Sequence, residues 1–282
     1  MTKRHFGVST HLFHGRRLSR ADLLEVAAHG FETVELFATR THFDFHSAAA
    51  IGDLQQWLAE AGLTLHGIHA PVADGFQGGR WNGTLSLASG DAGARGRALA
   101  EAEQALFIAR RIPAAVFVVH LGLPRWQQAE TPGQNTRDGA RRSVDALADL
   151  AGPLGVRLAL EIIPNELSRA GSLVHFVDEV DRPAVGICLD FGHAHLDGDL
   201  VDTIDIVSEH VTAVHVHDNR GRADDHLVPF EGTIDWPGAL TGVQKVGYEG
   251  PLMLELDGRG VAKETLANAA RARARMARLL TT

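Results

Sequence analysis

Eight short apolar runs alternate with eight longer amphipathic stretches along 282 residues, and no composition break interrupts the alternation. The runs cover residues 5–10, 33–37, 63–69, 115–121, 156–162, 185–190, 211–217 and 251–256 and are rich in Val, Ile and Leu. The stretches cover 19–30, 48–62, 94–111, 135–155, 172–180, 200–210, 235–247 and 261–280. In the stretches apolar residues recur at three- and four-residue spacing, as Leu54, Trp57, Leu58 and Ala61 do, which is the helical period. Ser19 with Asp22 marks a helix start, and Gly30 and Gly62 fit C-terminal caps. Near-continuous apolar strands joined by helices predict a parallel sheet buried on both faces. Eight repeats in a chain of this length predict a closed α/β barrel, a single (β/α)8 TIM-barrel domain over residues 1–282, in preference to a doubly wound sheet. No Gly-x-Gly-x-x-Gly follows the first run, so a dinucleotide fold has no local support.

Such a barrel gathers the C-terminal ends of all its strands at one mouth. Here those ends carry metal-liking side chains: His69, His120, Glu161, Asp190 with His193, His215 with His217, and Glu255, with Asp224 and His226 in the loop after the seventh run. An all-His/Asp/Glu set suits a divalent ion, and the single cysteine, Cys188, rules out a thiolate cage. Glu161, Asp190, His215 and Glu255 end four consecutive strands and so surround one point. Three carboxylates and an imidazole there fit Mn²⁺, Mg²⁺, Co²⁺ or Zn²⁺. Glu161 and Glu255 facing each other across the site would serve as an acid/base pair beside a polarised carbonyl, the requirement for isomerisation or epimerisation through an enediolate. A lone carboxylate at a strand end is often just a helix cap or an ion-pair partner. Four at consecutive strand ends are harder to explain that way.

The remaining residues read two ways. His69 and His120 either hold a second ion with Glu161 as a bridge or hydrogen-bond a polyol. His193 either ligates or binds a substrate hydroxyl, and His217 is placed with the substrate-binding group. Asp224 and His226, two apart, are spaced to point into one site. One ion is the favoured count and three the upper bound. The long loops 38–47, 70–93 and 218–234 leave strand C-termini, where barrel enzymes build pockets, and Phe13, Phe37, Phe43, Trp81 and Trp126 are candidate pocket walls. His29, His175 and His210 read as structural or solvated.

The joint order HAP, VHLG, LEII, CLDFGHAH, HVHDN, DDHLVPFEGTIDW and LELDG resembles the xylose isomerase-like TIM-barrel superfamily, and within it the sugar phosphate isomerase/epimerase group, from residue 5 to about 260. In the ketose 3-epimerases of that superfamily four residues bind one divalent metal. The resemblance places that role on Glu161, Asp190, His215 and Glu255, makes the two glutamates the acid/base pair, and puts His193 against substrate. Endonuclease IV, a trinuclear zinc phosphodiesterase acting on abasic DNA, shares the fold. Its nine ligands match His69, His120, Glu161, Asp190, His193, His215, Asp224, His226 and Glu255.

Charge separates the two readings. The net charge is −8, the chain has one tyrosine, Tyr248, and the loops after the second and third apolar runs carry few cations, chiefly Arg40 and Arg80. A DNA clamp needs several phosphate contacts, so nucleic acid is an unlikely partner and a small sugar or polyol the expected one. No glycine-rich phosphate cradle is visible, and Arg220, Arg222 and Arg259 read as solvated. The opening residues carry no apolar signal-peptide core, no run reaches membrane-span length, and one cysteine fits a reducing compartment. Cytoplasm is the expected location. A homo-oligomer is compatible with the resemblance, although no segment marks an interface. The basic stretch 261–280 is expected to pack on the barrel with a charged outer face.

Overall fold

The computed structural model describes residues 5–128 and 133–280. Eight parallel strands close into a barrel: β1 (Phe6–Ser9), β2 (Thr33–Phe37), β3 (Thr64–His69), β6 (Val116–Val119), β7 (Arg157–Glu161), β8 (Val185–Asp190), β9 (Val211–Val216) and β10 (Leu252–Leu254). Around the ring their order is β1, β10, β9, β8, β7, β6, β3, β2. Each lies within one of the eight apolar runs. β1, β6 and β8 are buried along their whole length, as strands covered on both faces must be.

Inside the ring, Val116, Val118, Ala159, Cys188 and Ala213 form a compact apolar plug of small side chains. The larger core lies between strands and helices, with Phe117, Phe176, Phe191, Leu23, Leu54 and Trp236 almost fully buried. Each such side chain contributes about 1.5–3 kcal/mol by leaving water.

The helices begin and end where local chemistry directs. In α2 (Ala48–Ala61) the Ser47 hydroxyl accepts from Ala50 N, and Gly62 closes the helix at φ 66°. In α5 (Arg137–Ala151) Thr136 plays the capping part. The C-terminal helix α10 (Ala262–Leu279) buries Leu266, Ala269, Ala272 and Met276, one face at helical spacing, and turns its arginines outward. Arg273 lies over Phe31 and Arg275 over Phe230. Among the described residues no helix is long and apolar enough to cross a membrane.

Two segments differ from the sequence expectation. The stretch after β3 is not all loop: β4 (Ala73–Gln77) and β5 (Arg80–Thr84) pair antiparallel as a hairpin. Its two-residue turn is Gly78–Gly79, at φ 59° and 77°, which only glycine adopts without strain. The segment after β8, which lies in none of the eight amphipathic stretches, is also a helix, α7 (Phe191–Asp197). Its cap is Asp190, whose Oδ1 accepts from His193 N at 2.6 Å.

Candidate metal centre

Register brings the strand ends level. Glu161 is opposite Cys188, Asp190 opposite His215, and Met253 opposite His215, so Glu161, Asp190, His215 and Glu255 converge from β7 to β10. All four are buried, and one donor atom from each lies within 4.8 Å of the others. His215 Nδ1 is 3.8 Å from Glu161 Oε2, 3.9 Å from Asp190 Oδ2 and 3.5 Å from Glu255 Oε2.

Two further groups adjoin this quartet. His69 Nε2 and His120 Nε2 are 3.1 and 3.2 Å from Glu161 Oε2, so Glu161 belongs to both groups. His193, His217, Asp224 and His226 form the third group, with Asp224 Oδ2 3.2 Å from His193 Nε2 and 3.2 Å from His226 Nε2. His217 is fully buried, 3.1 Å from Asp190 Oδ1 and stacked on His226 at 4.0 Å. Its position depends on Gly192, because a Cβ there would come within 1.9 Å of the His217 ring.

Hydrogen bonds fix which ring nitrogens face these carboxylates. His69 Nδ1 is 2.8 Å from Ala70 O, and His226 Nδ1 is 3.0 Å from Glu255 O. Each must donate its N–H to that carbonyl, which leaves Nε2 as the lone-pair nitrogen of a neutral ring. His215 likewise directs Nε2 to Glu35 Oε2 at 2.9 Å and leaves Nδ1 toward the quartet. In all three groups, then, a nitrogen lone pair faces carboxylate oxygens. Two acceptors at such distances repel unless a cation, either a proton or a metal, lies between them.

The same region contains buried polar atoms with no hydrogen-bond partner: Glu161 Oε1, Asp190 Oδ2, His193 Nδ1, His215 Nδ1, both His217 nitrogens and Asp224 Oδ1. Leaving them unsatisfied costs more than most folds tolerate, and a cation would satisfy them. The donor set therefore fits a divalent metal.

Titration tells the same story. Burial alone would raise Glu161, but the imidazoles of His120 and His215 outweigh it and hold the carboxyl well below its usual range. Burial alone would lower His193, but Asp190 and Asp224 push it well above its usual value. Cys188, beside Glu161 and His215, is pushed up to about 12 by burial and stays a thiol.

Above the three groups opens a cavity of about 390 Å³. His69, His120, His193, Asp224, His226 and Glu255 are in its lining; Phe37, Phe76, Trp81 and Trp126 supply aromatic walls. Of the five aromatics expected there, Phe13 and Phe43 are instead in the apolar core. His29, His175 and His210 are paired with Glu25, Glu179 and Asp178, away from the centre.

Sequence reasoning missed four contributors. Glu35 is almost fully buried behind His215; its signal was a lone carboxylate inside the apolar run Thr33–Phe37. His11 and His14, which follow β1, line the cavity and stack on each other at 4.6 Å. The loop after β9 is clamped by Asp218, which accepts from Phe230 N at 2.9 Å and Trp236 Nε1 at 2.8 Å, so this aspartate anchors the Gly232–Trp236 stretch.

The architecture is that of a (β/α)8 barrel with a carboxylate–imidazole centre at its C-terminal mouth. The chain belongs to the xylose isomerase-like TIM barrel family, whose model matches residues 23–279. An uncharacterized protein of Methanocaldococcus jannaschii is 27% identical over 259 residues, 89% of this chain and 83% of that protein. A ketose 3-epimerase of Arthrobacter globiformis is 26% identical over 122 residues, 41% of this chain and 40% of the epimerase. Among solved structures, a D-tagatose 3-epimerase-like protein superposes with a TM-score of 0.78 at 23% identity, covering 98% of this chain and 97% of its own.

Proposed function

We propose that the chain is a divalent-metal-dependent isomerase or epimerase of a sugar or related polyol, acting as one domain. The observation that carries this reading is the buried quartet, in which two glutamates, from the ends of β7 and β10, flank one imidazole and one aspartate from the two strands between them, with donor atoms within 4.8 Å of one another. Glu161, Asp190, His215 and Glu255 would hold the ion, with Mn²⁺, Mg²⁺, Co²⁺ or Zn²⁺ all suited to such donors. When bound, the ion polarises a substrate carbonyl. Glu161 and Glu255 then take and return the proton on the adjacent carbon, one from each face, through an enediolate. His69, His120 and His193 line the cavity above and orient hydroxyls, and His217, buried outside the cavity lining, packs edge-on against His193 and holds that ring in place. The aromatic walls offer apolar faces to the substrate's C–H groups. Kinship with a family that includes ketose epimerases supports the substrate class.

The test is deuterium wash-in. Protein reconstituted with Mn²⁺ is incubated in D₂O with a panel of ketoses, and exchange at the carbon next to the carbonyl is followed by NMR. Exchange that depends on Glu161 supports the reading; no exchange with any ketose across the panel sinks it.

A second reading, a trinuclear zinc phosphodiesterase of endonuclease IV type, is favoured by one observation: the two further donor groups, one of which shares Glu161 with the quartet. Three zinc ions per chain together with incision of an abasic-site duplex would establish it. The carboxylates Asp225 and Asp257 at the cavity mouth oppose it, since a phosphate backbone would have to pass them.

A further inference from the structure

Phosphate sites in (β/α)8 barrels are usually made by the loops after the seventh and eighth barrel strands, where free backbone N–H groups and a helix N-terminus meet the anion. In this chain those two loops follow β9 and β10. In the first, Asn219 N is bound by Asp218 Oδ1 at 2.9 Å and Gly221 N by Asn219 Oδ1 at 2.8 Å. In the second, Asp257 Oδ1 accepts from Arg259 N at 3.2 Å, and Asp257 Oδ2 accepts from Arg259 Nε at 2.7 Å. Three backbone donors of these two loops, Asn219 N, Gly221 N and Arg259 N, are thus occupied by side-chain oxygens of the chain.

Among the described residues lining the cavity, Arg259 is also the only lysine or arginine. It is outnumbered there by Asp225 and Asp257, both of which act on its guanidinium. The Asp257 backbone N donates to His226 O at 2.9 Å, so its carboxylate is held in place from the floor of the site. We propose that Asp257 is a specificity-determining residue: it occupies the anion position of the barrel mouth and reserves the pocket for substrates whose distal end bears hydroxyls rather than a phosphate ester. This deepens the sugar reading above and rests on it for the identity of the substrate. Asp257 and Asp225 accept hydrogen bonds from hydroxyls, while Trp81 and Trp126 offer faces to C–H groups.

The test titrates inorganic phosphate by calorimetry into metal-loaded wild-type, Asp257→Ala, Asp257→Asn and Asp257→Ala/Arg259→Gln proteins. Phosphate held at the ion is common to all four and cancels in the comparison. Asp257→Asn keeps the side chain's size and guards against misfolding of the alanine variant. Both single variants are expected to bind phosphate about tenfold more tightly, the scale of removing one neighbouring like charge, and the double variant to return to the wild-type value. Equal affinity across the series overturns the proposal. In a second arm, wild type is expected to bind D-fructose more tightly than D-fructose 6-phosphate; the reverse order also overturns it. If no ketose binds at all while the phosphate series behaves as expected, the sugar reading falls and the charge selectivity of the mouth stands.

Discussion

The Glu35 carboxylate accepts a 2.9 Å hydrogen bond from His215 Nε2, and both side chains are almost fully buried. The contact joins β2 to β9 across the inside of the barrel. It fixes the tautomer of His215 and makes its Nδ1 a stronger donor toward the quartet. Glu35→Gln keeps the shape but removes the charge. We expect metal affinity to fall about 10–100-fold, the usual cost of losing such an orienting carboxylate. Titration of metal-free protein with Mn²⁺ measures this, and unchanged affinity would remove Glu35 from the centre.

Glu161 reaches members of all three groups: it contacts His69 and His120, His193, and His215. Glu161→Gln should weaken metal binding and, on the proposed mechanism, cut turnover by at least about 10²–10⁴-fold, the range for loss of a general base. Glu255→Gln should do the same for the return of the proton. Wild-type-like turnover in either variant excludes that glutamate from the acid/base pair.

These residues were legible in the sequence for a physical reason. Parallel strands buried on both faces leave long apolar runs, so a metal-liking residue among the last positions of a run marks the strand's C-terminal end. That rule found Glu161, Asp190, His215 and Glu255 and the eight barrel strands. It failed for Glu35, which lies inside β2 and is tolerated there only because His215 meets it from across the barrel. A contact spanning 180 residues has no local signature. The hairpin failed differently. Its Gly78–Gly79 turn was visible, but the flanking segments ADGFQ and RWNGT lack the alternation of a half-buried strand. Sequence spacing already separated the quartet, His69 and His120 beside Glu161, and Asp224 with His226; that His193 and His217 join the last group depends on register and on the helix after β8, which spacing alone does not give.

His226 separates a mononuclear from a multinuclear centre. It belongs to the third group and not to the quartet. If one ion on the quartet suffices for catalysis, His226→Ala should leave turnover within about threefold, because it removes none of the four quartet donors. If the groups fill together, the metal content of this variant should drop by one ion per chain and activity should fall with it. Elemental analysis beside the turnover assay distinguishes these outcomes.

His42 sets an acid limit on stability that is independent of the centre. Its Nδ1 is 2.8 Å from Arg16 O and its Nε2 is 3.1 Å from Thr10 Oγ1. Burial lowers it to about 4, outweighing the hydrogen bond to Arg16. The folded value lies below the unfolded one of 6.5, so the unfolded chain binds the proton more readily. Its contribution is complete above pH 6.5 and is lost as pH falls toward 4. The loss amounts to about 3 kcal/mol. Denaturant unfolding of metal-free protein at pH 7, 5.5 and 4 should show the decline, and His42→Gln should flatten it. An equally steep decline in the variant would assign the acid sensitivity elsewhere.

Trp81 stands on β5, stacked on His14 at 5.1 Å and set against Phe76 at 4.8 Å, and it walls the cavity from the hairpin side. The hairpin forms no part of the barrel ladder, so the barrel does not need Trp81 in order to close. Its contribution is expected in substrate binding rather than in proton transfer. Trp81→Ala should raise KM about tenfold, the scale of one lost stacking face, and leave kcat within about threefold. Loss of kcat with KM unchanged would instead mean that the wall shields the reacting carbon from water. In that case solvent exchange of the abstracted proton should rise relative to product formation, which the D₂O experiment reads directly.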